Sequence, residues 1–526
     1  VTVLHNPVIR GFAPDPSIVR VGDWYYVATS SFEWFPTIPV HRSRDLAHWE
    51  YAGHVRGAVP GGCLAGVPDS GGVWAPSLSW DGERFWVVYA IVRSVGTPYF
   101  DADTYVSTAT EVDGPWSAPR RVASHGFDPA LFHHEGRLWL LNLQNDHRPG
   151  GRRFAGIVLT ELDRKTLNPV GGTHLLLQHE RLVEGPKLVF RDHWYHLALA
   201  EGGTGFEHGV RVARSRALTG PYELDDRPLL TSRDDPSLPL QKAGHGELLQ
   251  LSDDSWVLSH LTARPLGRAA GPRCTLGRET AIQRVVWDAQ GWPRLAHGGH
   301  HPAVEVDVPT RPHPLVAAPA EGLGWPWSSL RGAPDPSWAD ADTRPGWIRL
   351  RGRHGPESRW AHSLLAQRIT EHRAQAQVTV EARPETFTQA AGLVLWYNTE
   401  AHLSLDLTWA EAEGEEQSGQ QWRGGGRTVL RLVERDEAGT RVVADADIEA
   451  GNAVTLGVTV NGGEARFWYV RNGQRIAIGG PLDFSKLSDD HGSKLRFTGS
   501  MAGIHAVDLV DAAFSADFAG FRLICG

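Results

Sequence analysis

The chain has 526 residues, and its 52 Lys and Arg against 61 Asp and Glu leave a net charge of −9, which gives a nucleic acid no electrostatic footing. Hydrophobic residues make up 41%, near the globular norm, which excludes a disordered chain. No apolar run reaches the roughly 18 residues of a spanning helix, so a membrane partner is not expected. Cys63, Cys274 and Cys525 are too scattered for a disulfide framework or a zinc pattern. The chain also carries 21 Trp, 58 Gly, 34 Pro and one Met, Met501. Many aromatics and many chain-benders read as short strands joined by turns, and Trp suits the flat faces of sugars. An all-β, sugar-handling protein is the expected class.

The first residues, Val1 to Pro7, lack the basic start and apolar stretch of a secretory signal. With so few cysteines, the expectation is a cytoplasmic protein. From Asp15 onward a pattern repeats: a turn dipeptide, a short apolar strand, a polar turn and an aromatic-rich strand. It begins at Asp15, Ala75, Asp128, Gly185 and, more weakly, His245, at intervals of 60, 53, 57 and 60 residues. Each copy reads as a hairpin, with Trp24, Trp86, Trp139, Trp194 and Trp256 at one repeated position, where they fit blade packing. Further strands lie between the copies, such as Thr104–Thr110 before Asp113-Gly-Pro-Trp and Val210–Ser215 before Thr219-Gly-Pro-Tyr. A hairpin plus such a pair is a four-stranded blade, and five copies give a five-bladed β-propeller over 1–309.

Past residue 302 the pattern stops. Residues 310–325 are rich in Pro and Ala and read as a linker or strap. From 326 to 526, alternating runs such as Gln377–Ala382, Gly392–Tyr397, Thr428–Val433 and Ala465–Val470 read as a C-terminal β-sandwich of the lectin-like, jelly-roll type. Gly414–Gln421, running on toward Gly424, reads as a polar loop. His297-Gly-Gly-His-His matches no zinc signature and reads as an exposed loop.

In a propeller the innermost strands begin near the axis, so the repeat-start residues, with Glu184 beside one of them, converge at one end of the channel. Asp and Glu are almost never buried without partners. Two carboxyl groups flanking a glycosidic bond suffice for hydrolysis, and a third can hold the acid protonated. Asp15, Asp128 and Glu184, on three blades, fit that arrangement. Asp-Pro pairs also close turns, yet the second blade carries Ala75 at the same place, so the turn itself does not demand an acid.

Six stretches carry a resemblance: Asn6-Pro-Val-Ile-Arg-Gly-Phe-Ala-Pro-Asp-Pro-Ser, Ser31-Phe-Glu-Trp-Phe-Pro, Val73-Trp-Ala-Pro, His125-Gly-Phe-Asp-Pro-Ala-Leu-Phe, Val183-Glu-Gly-Pro and Glu201-Gly-Gly-Thr-Gly-Phe-Glu-His. In that order they resemble glycoside hydrolase family 43, specifically its two-domain β-xylosidases. The resemblance implies an exo-acting, anomer-inverting hydrolase with xylo- or arabino-oligosaccharide substrates and no organic cofactor. It implies Asp15 as general base, Glu184 as general acid and Asp128 as the group that tunes and holds the acid. Phe32, Trp74, Ala75, Thr204 and Arg278 match the family's glycone pocket, and Met501 matches a sandwich-loop position that reaches back as a lid. His245 matches the family histidine beside a channel ion, usually calcium, for which one His would need several waters. Relatives of this type are often dimers or tetramers.

Three departures touch substrate choice. Asn145 stands where a Trp is common, Ser77 replaces a usual His, and Met501 replaces Phe. The leading reading is a β-D-xylosidase, bifunctional with α-L-arabinofuranosidase activity or not, and the runner-up is a strict arabinofuranosidase. A non-catalytic carbohydrate-binding propeller would have lost Asp15 or Glu184, and neither is lost.

Overall fold

The computed structural model describes residues 1–267, 271–315, 322–412, 425–449 and 451–526. Part of the 310–325 strap and all of the Gly414–Gly424 polar loop lie outside the described residues. The chain forms two compact units. The first takes in Val1–Gly62, Ser70–Pro265 and Arg278–Ala318; the second takes in Cys63–Asp69, Leu266–Gly277 and Pro319–Gly526. Among the described residues regular structure is almost entirely β, and no helix is long and apolar enough to cross a membrane.

The first unit is a five-bladed propeller, each blade an antiparallel sheet whose strands follow chain order from the axis outward. The inner strands are Ser17–Val21, Gly72–Trp80, Gly126–His134, Val183–Arg191 and Gln241–Gln250. Each touches the next, and the fifth returns to touch the first. A separate ribbon pairs Thr2–His5 with Glu305–Val308. Alternation puts apolar residues between neighbouring blades, as in the cluster of Val88, Val106, Leu138, Leu140 and Leu162. The repeated tryptophans divide by setting. Trp86, Trp139 and Trp256 are buried, the first two each under one guanidinium group, Arg164 and Arg137, whereas Trp24 and Trp194 are only half-buried and each lie under two, Arg42 and Arg44 over one and Arg214 and Arg216 over the other. These two act as arginine platforms at the blade surface as well as packing residues.

The repeat shares a backbone device. Asp15, Ala75, Asp128, Gly185 and His245 all have positive φ, at 53°, 31°, 52°, 54° and 49°. In blades two to five the pairing of the inner strand with its neighbour slips at that point, between Trp74 and Ser77, Phe127 and Ala130, Glu184 and Lys187, and Gly244 and Glu247. These are β-bulges, and the proline that follows the residue in blades two to four has no N–H to lose from the ladder. A side chain held in this region costs about 1–3 kcal/mol, which the surrounding blade must sustain. The bulge is what re-aims the repeat-start side chains.

The second unit is a sandwich of two antiparallel sheets. One runs, edge to edge, Gly439–Asp447, Arg427–Asp436, Ala401–Ala410, Gln389–Asn398, Met501–Asp508, Ser363–Arg368, Ser328–Leu330. The other runs Ala339–Asp340, Trp347–Arg351, Ser515–Cys525, Arg373–Ala382, Val454–Asn461, Glu464–Arg471, Gln474–Ala477. Leu393, Leu395, Leu405, Leu407, Val378, Val458, Phe467 and Phe518 fill the space between them.

Candidate active site

Asp15 is buried and its carboxylate is fully engaged. Ser30 Oγ donates to Oδ2 at 2.6 Å, Arg278 Nη1 donates to Oδ1 at 3.1 Å, and His245 Nδ1 lies 3.5 Å from Oδ1. The same Arg278 nitrogen donates to Thr204 Oγ1 at 2.7 Å. Ser30 Oγ in turn accepts the Ala75 N–H at 2.8 Å, so the first and second blades share one hydroxyl. Burial raises the Asp15 carboxyl, but Arg278, His245 and Ser30 outweigh it and hold the group below the ordinary aspartate range. Asp15 is therefore ionised under all physiological conditions.

The other two carboxyls behave oppositely. Burial first, and the negative charge of Asp15 second, push Asp128 up to about 7, against the pull of Gly185 N–H, Lys187 and Arg278. Gly185 N donates to Asp128 Oδ2 at 3.0 Å, which ties the third blade to the residue after Glu184. Glu184 is raised well above the ordinary value, again by burial first and then by Asp128 and Asp15, with Arg278 countering only in part. One cavity thus holds a carboxylate that stays ionised and a carboxyl that keeps its proton, the separation that assigns base and acid.

Apolar rings flank this cluster. Phe32 and Trp74 meet edge to face with centroids 6.1 Å apart, and Arg278 lies 5.7 Å from the Phe32 centroid. Trp74 Nε1 is spent on Ser70 O at 2.8 Å, so its face, not its N–H, is what it can offer a ligand. Phe127 and Phe100 continue the wall, 5.6 and 5.7 Å from Trp74. Asn145 pairs with Phe154 across a bulge in the third blade, and Ser77 is buried on the inner strand of the second. Met501 belongs to the second unit, where it is fully buried and pairs with Arg368 and Trp396.

The structure brings in residues to which no role had been assigned. Lys187, three positions after the acid, is buried with Nζ 3.8 Å from Glu247 Oε2 and 3.5 Å from Ser17 Oγ. Burial lowers its pKa, while Glu247, Asp128 and Asp15 act to hold the proton on. His208, fully buried beside His245 and Asp15, is pushed down to about 3 by burial first and then by the Arg278 charge, so it is neutral.

His245 falls to about 4, by burial first and then by Lys187 and Arg278 against Asp15. It is a neutral imidazole with Gly185 packed closely against its edge, since a Cβ on Gly185 would lie 2.9 Å from its Nε2. A channel cation could take this nitrogen, but the rest of an oxygen-seeking shell would have to be water. Elsewhere, Asp234, His300 and His301 form a group able to hold a metal, with ligand atoms within 4.8 Å of one another.

Comparison with known proteins gives the same organisation. Residues 4–293 match the family model for glycosyl hydrolases family 43, and residues 319–523 match the beta xylosidase C-terminal concanavalin A-like domain. The chain is 38% identical to xylosidase/arabinosidase 43B of Humicola insolens, covering 98% of this chain and 96% of that one. It is 35% identical to a xylan 1,3-beta-xylosidase of a Vibrio species, over 99% of each. Among solved structures, the xylan beta-1,4-xylosidase of Bacillus halodurans C-125 superposes with a TM-score of 0.92 at 38% identity, over 99% of both chains.

Proposed function

The chain belongs to glycoside hydrolase family 43, and from that premise we propose that it is an exo-acting, inverting β-D-xylosidase releasing D-xylose from the non-reducing end of xylo-oligosaccharides. The observation that carries the mechanism is the opposite tuning of Asp15 and Glu184 around Asp128. In the first step Glu184 gives its proton to the glycosidic oxygen as the bond to the anomeric carbon breaks. Asp15 takes a proton from a water that attacks that carbon from the opposite face, and the transition state is oxocarbenium-like. The product hemiacetal is inverted. Glu184 is left ionised and Asp15 protonated, and exchange with solvent restores both. Arg278 anchors Asp15 and Thr204 together, while Phe32 and Trp74 give the ring an apolar wall.

A calcium ion near His245 is part of the proposal as a structural ion. His245 would supply one nitrogen, and the ion would add positive charge beside Asp15. Arg278 and Lys187 already bring such charge to this region, so chelation should leave turnover within about two-fold. A homo-oligomer, dimer or tetramer, on the family resemblance, and a cytoplasmic place of action, on the few cysteines, complete the reading; sedimentation velocity and cell fractionation read them directly.

The test is a side-by-side kcat/KM on nitrophenyl β-xyloside, nitrophenyl α-arabinofuranoside and xylobiose, with and without chelator, and proton NMR of the first-formed sugar. The xyloside should exceed the arabinofuranoside at least about ten-fold, with inversion. Glu184→Ala should lose about 10²–10⁴-fold on xylobiose but far less on an activated aryl leaving group, since only acid assistance is gone. Net retention would contradict the mechanism. The reverse substrate preference would establish the second reading, an α-L-arabinofuranosidase, which Asn145 in place of a tryptophan platform favours.

A further inference from the structure

Three side chains that the hydrolytic reaction does not use converge on the surface of the propeller unit. Asp234 lies on the connection between Leu230–Thr231 of the fourth blade and Gln241–Gln250 of the fifth. His300 and His301 lie on the connection from Pro293–Leu295, the outer strand of the fifth blade, to Glu305–Val308. His300 Nε2 is 2.7 Å from Asp234 Oδ2, and His301 Nε2 is 2.9 Å from Oδ1. The two rings are close to perpendicular, at 79°, with centroids 4.6 Å apart.

The backbone holds this geometry. Gly298 and Gly299 take φ of 85° and 67° in succession, a turn that a residue with a Cβ would strain. Thr231 N donates to His300 O at 2.8 Å, and His297 Nε2 lies 3.0 Å from His301 O. The histidine pair is therefore fixed from both connections.

A tetrahedral ion with bonds of about 2.0–2.1 Å to nitrogen and oxygen spaces its ligand atoms about 3.3 Å apart. The two imidazole nitrogens stand 2.7 and 2.9 Å from different oxygens of Asp234, and the three ligand atoms, all within 4.8 Å of one another, must regroup about one centre to admit one. Two imidazole nitrogens and one carboxylate suit a borderline ion such as zinc, not calcium. Asp234, His300 and His301 are 51%, 33% and 39% exposed, so solvent water can take the remaining position.

We propose that Asp234, His300 and His301 form a structural site for one zinc-class divalent ion, completed by water, that staples the connection entering the fifth blade to the connection leaving it. The fifth blade is where the ring returns to the first. The histidine connection runs directly into the strand that pairs with Thr2–His5. An ion here adds a bond across the closure of the ring, and without it the carboxylate clamps the two imidazoles through hydrogen bonds.

The experiment uses the chelator-stripped full chain titrated with zinc chloride, read by calorimetry and by Tm, beside His300→Ala, His301→Ala and Asp234→Asn. Asp234→Asn keeps a hydrogen-bonding amide of the same shape and so separates loss of the ion from loss of the clamp. One zinc per chain should bind at this site, at least ten-fold more weakly in each variant. Zinc at 100 times its Kd should raise the parent Tm by about 3 °C or more and the variants' by no more than about half of that. Aryl-xyloside turnover of the metal-free variants should stay within two-fold of the parent. Equal zinc affinity in parent and variants would overturn the site. So would a Tm that follows pH but not zinc, which marks a hydrogen-bonded clamp only.

Discussion

Asp128 makes the case for a residue that acts through another. Its carboxyl accepts one N–H, from Gly185, and its negative charge is the leading reason after burial for the raised Glu184. Asp128→Asn removes that charge and keeps an acceptor oxygen. Ionised Glu184 is then opposed by one negative neighbour fewer, so its pKa falls and its proton is lost at lower pH. The alkaline limb of kcat/KM on xylobiose should move down by about one pH unit. The acid limb, set by Asp15 and its Arg278 and Ser30 partners, should stay below about pH 4. A pH profile that drops in height with both limbs in place would show that Asp128 only positions and does not tune.

At the level of elements, the hairpins were legible because each carries its own turn chemistry and alternation, and Asp15, Asp128 and Glu184 were legible because they ride on that repeat. The bulges were not. Nothing local in Ala75 or His245 announces a left-handed backbone, and the five positions are recognised as one device only when aligned in space. Ser30, Lys187 and His208 were hidden for a related reason. Their partners lie on other blades, as with Lys187 and Ser17, and a buried Ser or Lys in a strand has no sequence signature of its own. Arg278 joins Asp15 from the far end of the propeller, and family resemblance, not spacing, pointed to it. Gly185 shows how little slack the device has. A Cβ there would sit 2.9 Å from His245 Nε2 and would strain a φ of 54°. Gly185→Ala should lower Tm by several degrees, the equivalent of about 1–3 kcal/mol. It should also cut kcat more than ten-fold, because the same residue donates to Asp128 and follows the acid. Unchanged melting and turnover would mean that the bulge can relax, contrary to its role in aiming Glu184.

Across the whole molecule the buried titratable groups set a pH of greatest stability. His208, at about 3, and His245, His260 and His402, at about 4, are buried neutral, depressed first by desolvation in every case. An unfolded chain protonates these four near pH 6.5, so between about pH 4.5 and 6.5 it binds roughly four protons that the folded chain refuses. Asp128 and Glu184 act in the opposite sense. Folded, they keep protons that the unfolded chain releases above about pH 4. His54, His133, His196 and His362, also lowered to about 3–4 by burial, add to the histidine side, so the unfolded state binds more protons in that window and stability rises with pH there. Above about pH 6.5 the histidines no longer contribute and the two raised carboxyls lower stability as pH climbs toward their folded values. Tm should therefore peak near pH 6–7 and fall by several degrees on going to pH 4.5. The double variant Asp128→Asn, Glu184→Gln should lose the alkaline decline and keep the acid one. A Tm flat from pH 4.5 to 7 in the parent would show that these histidines do not stay neutral in the fold.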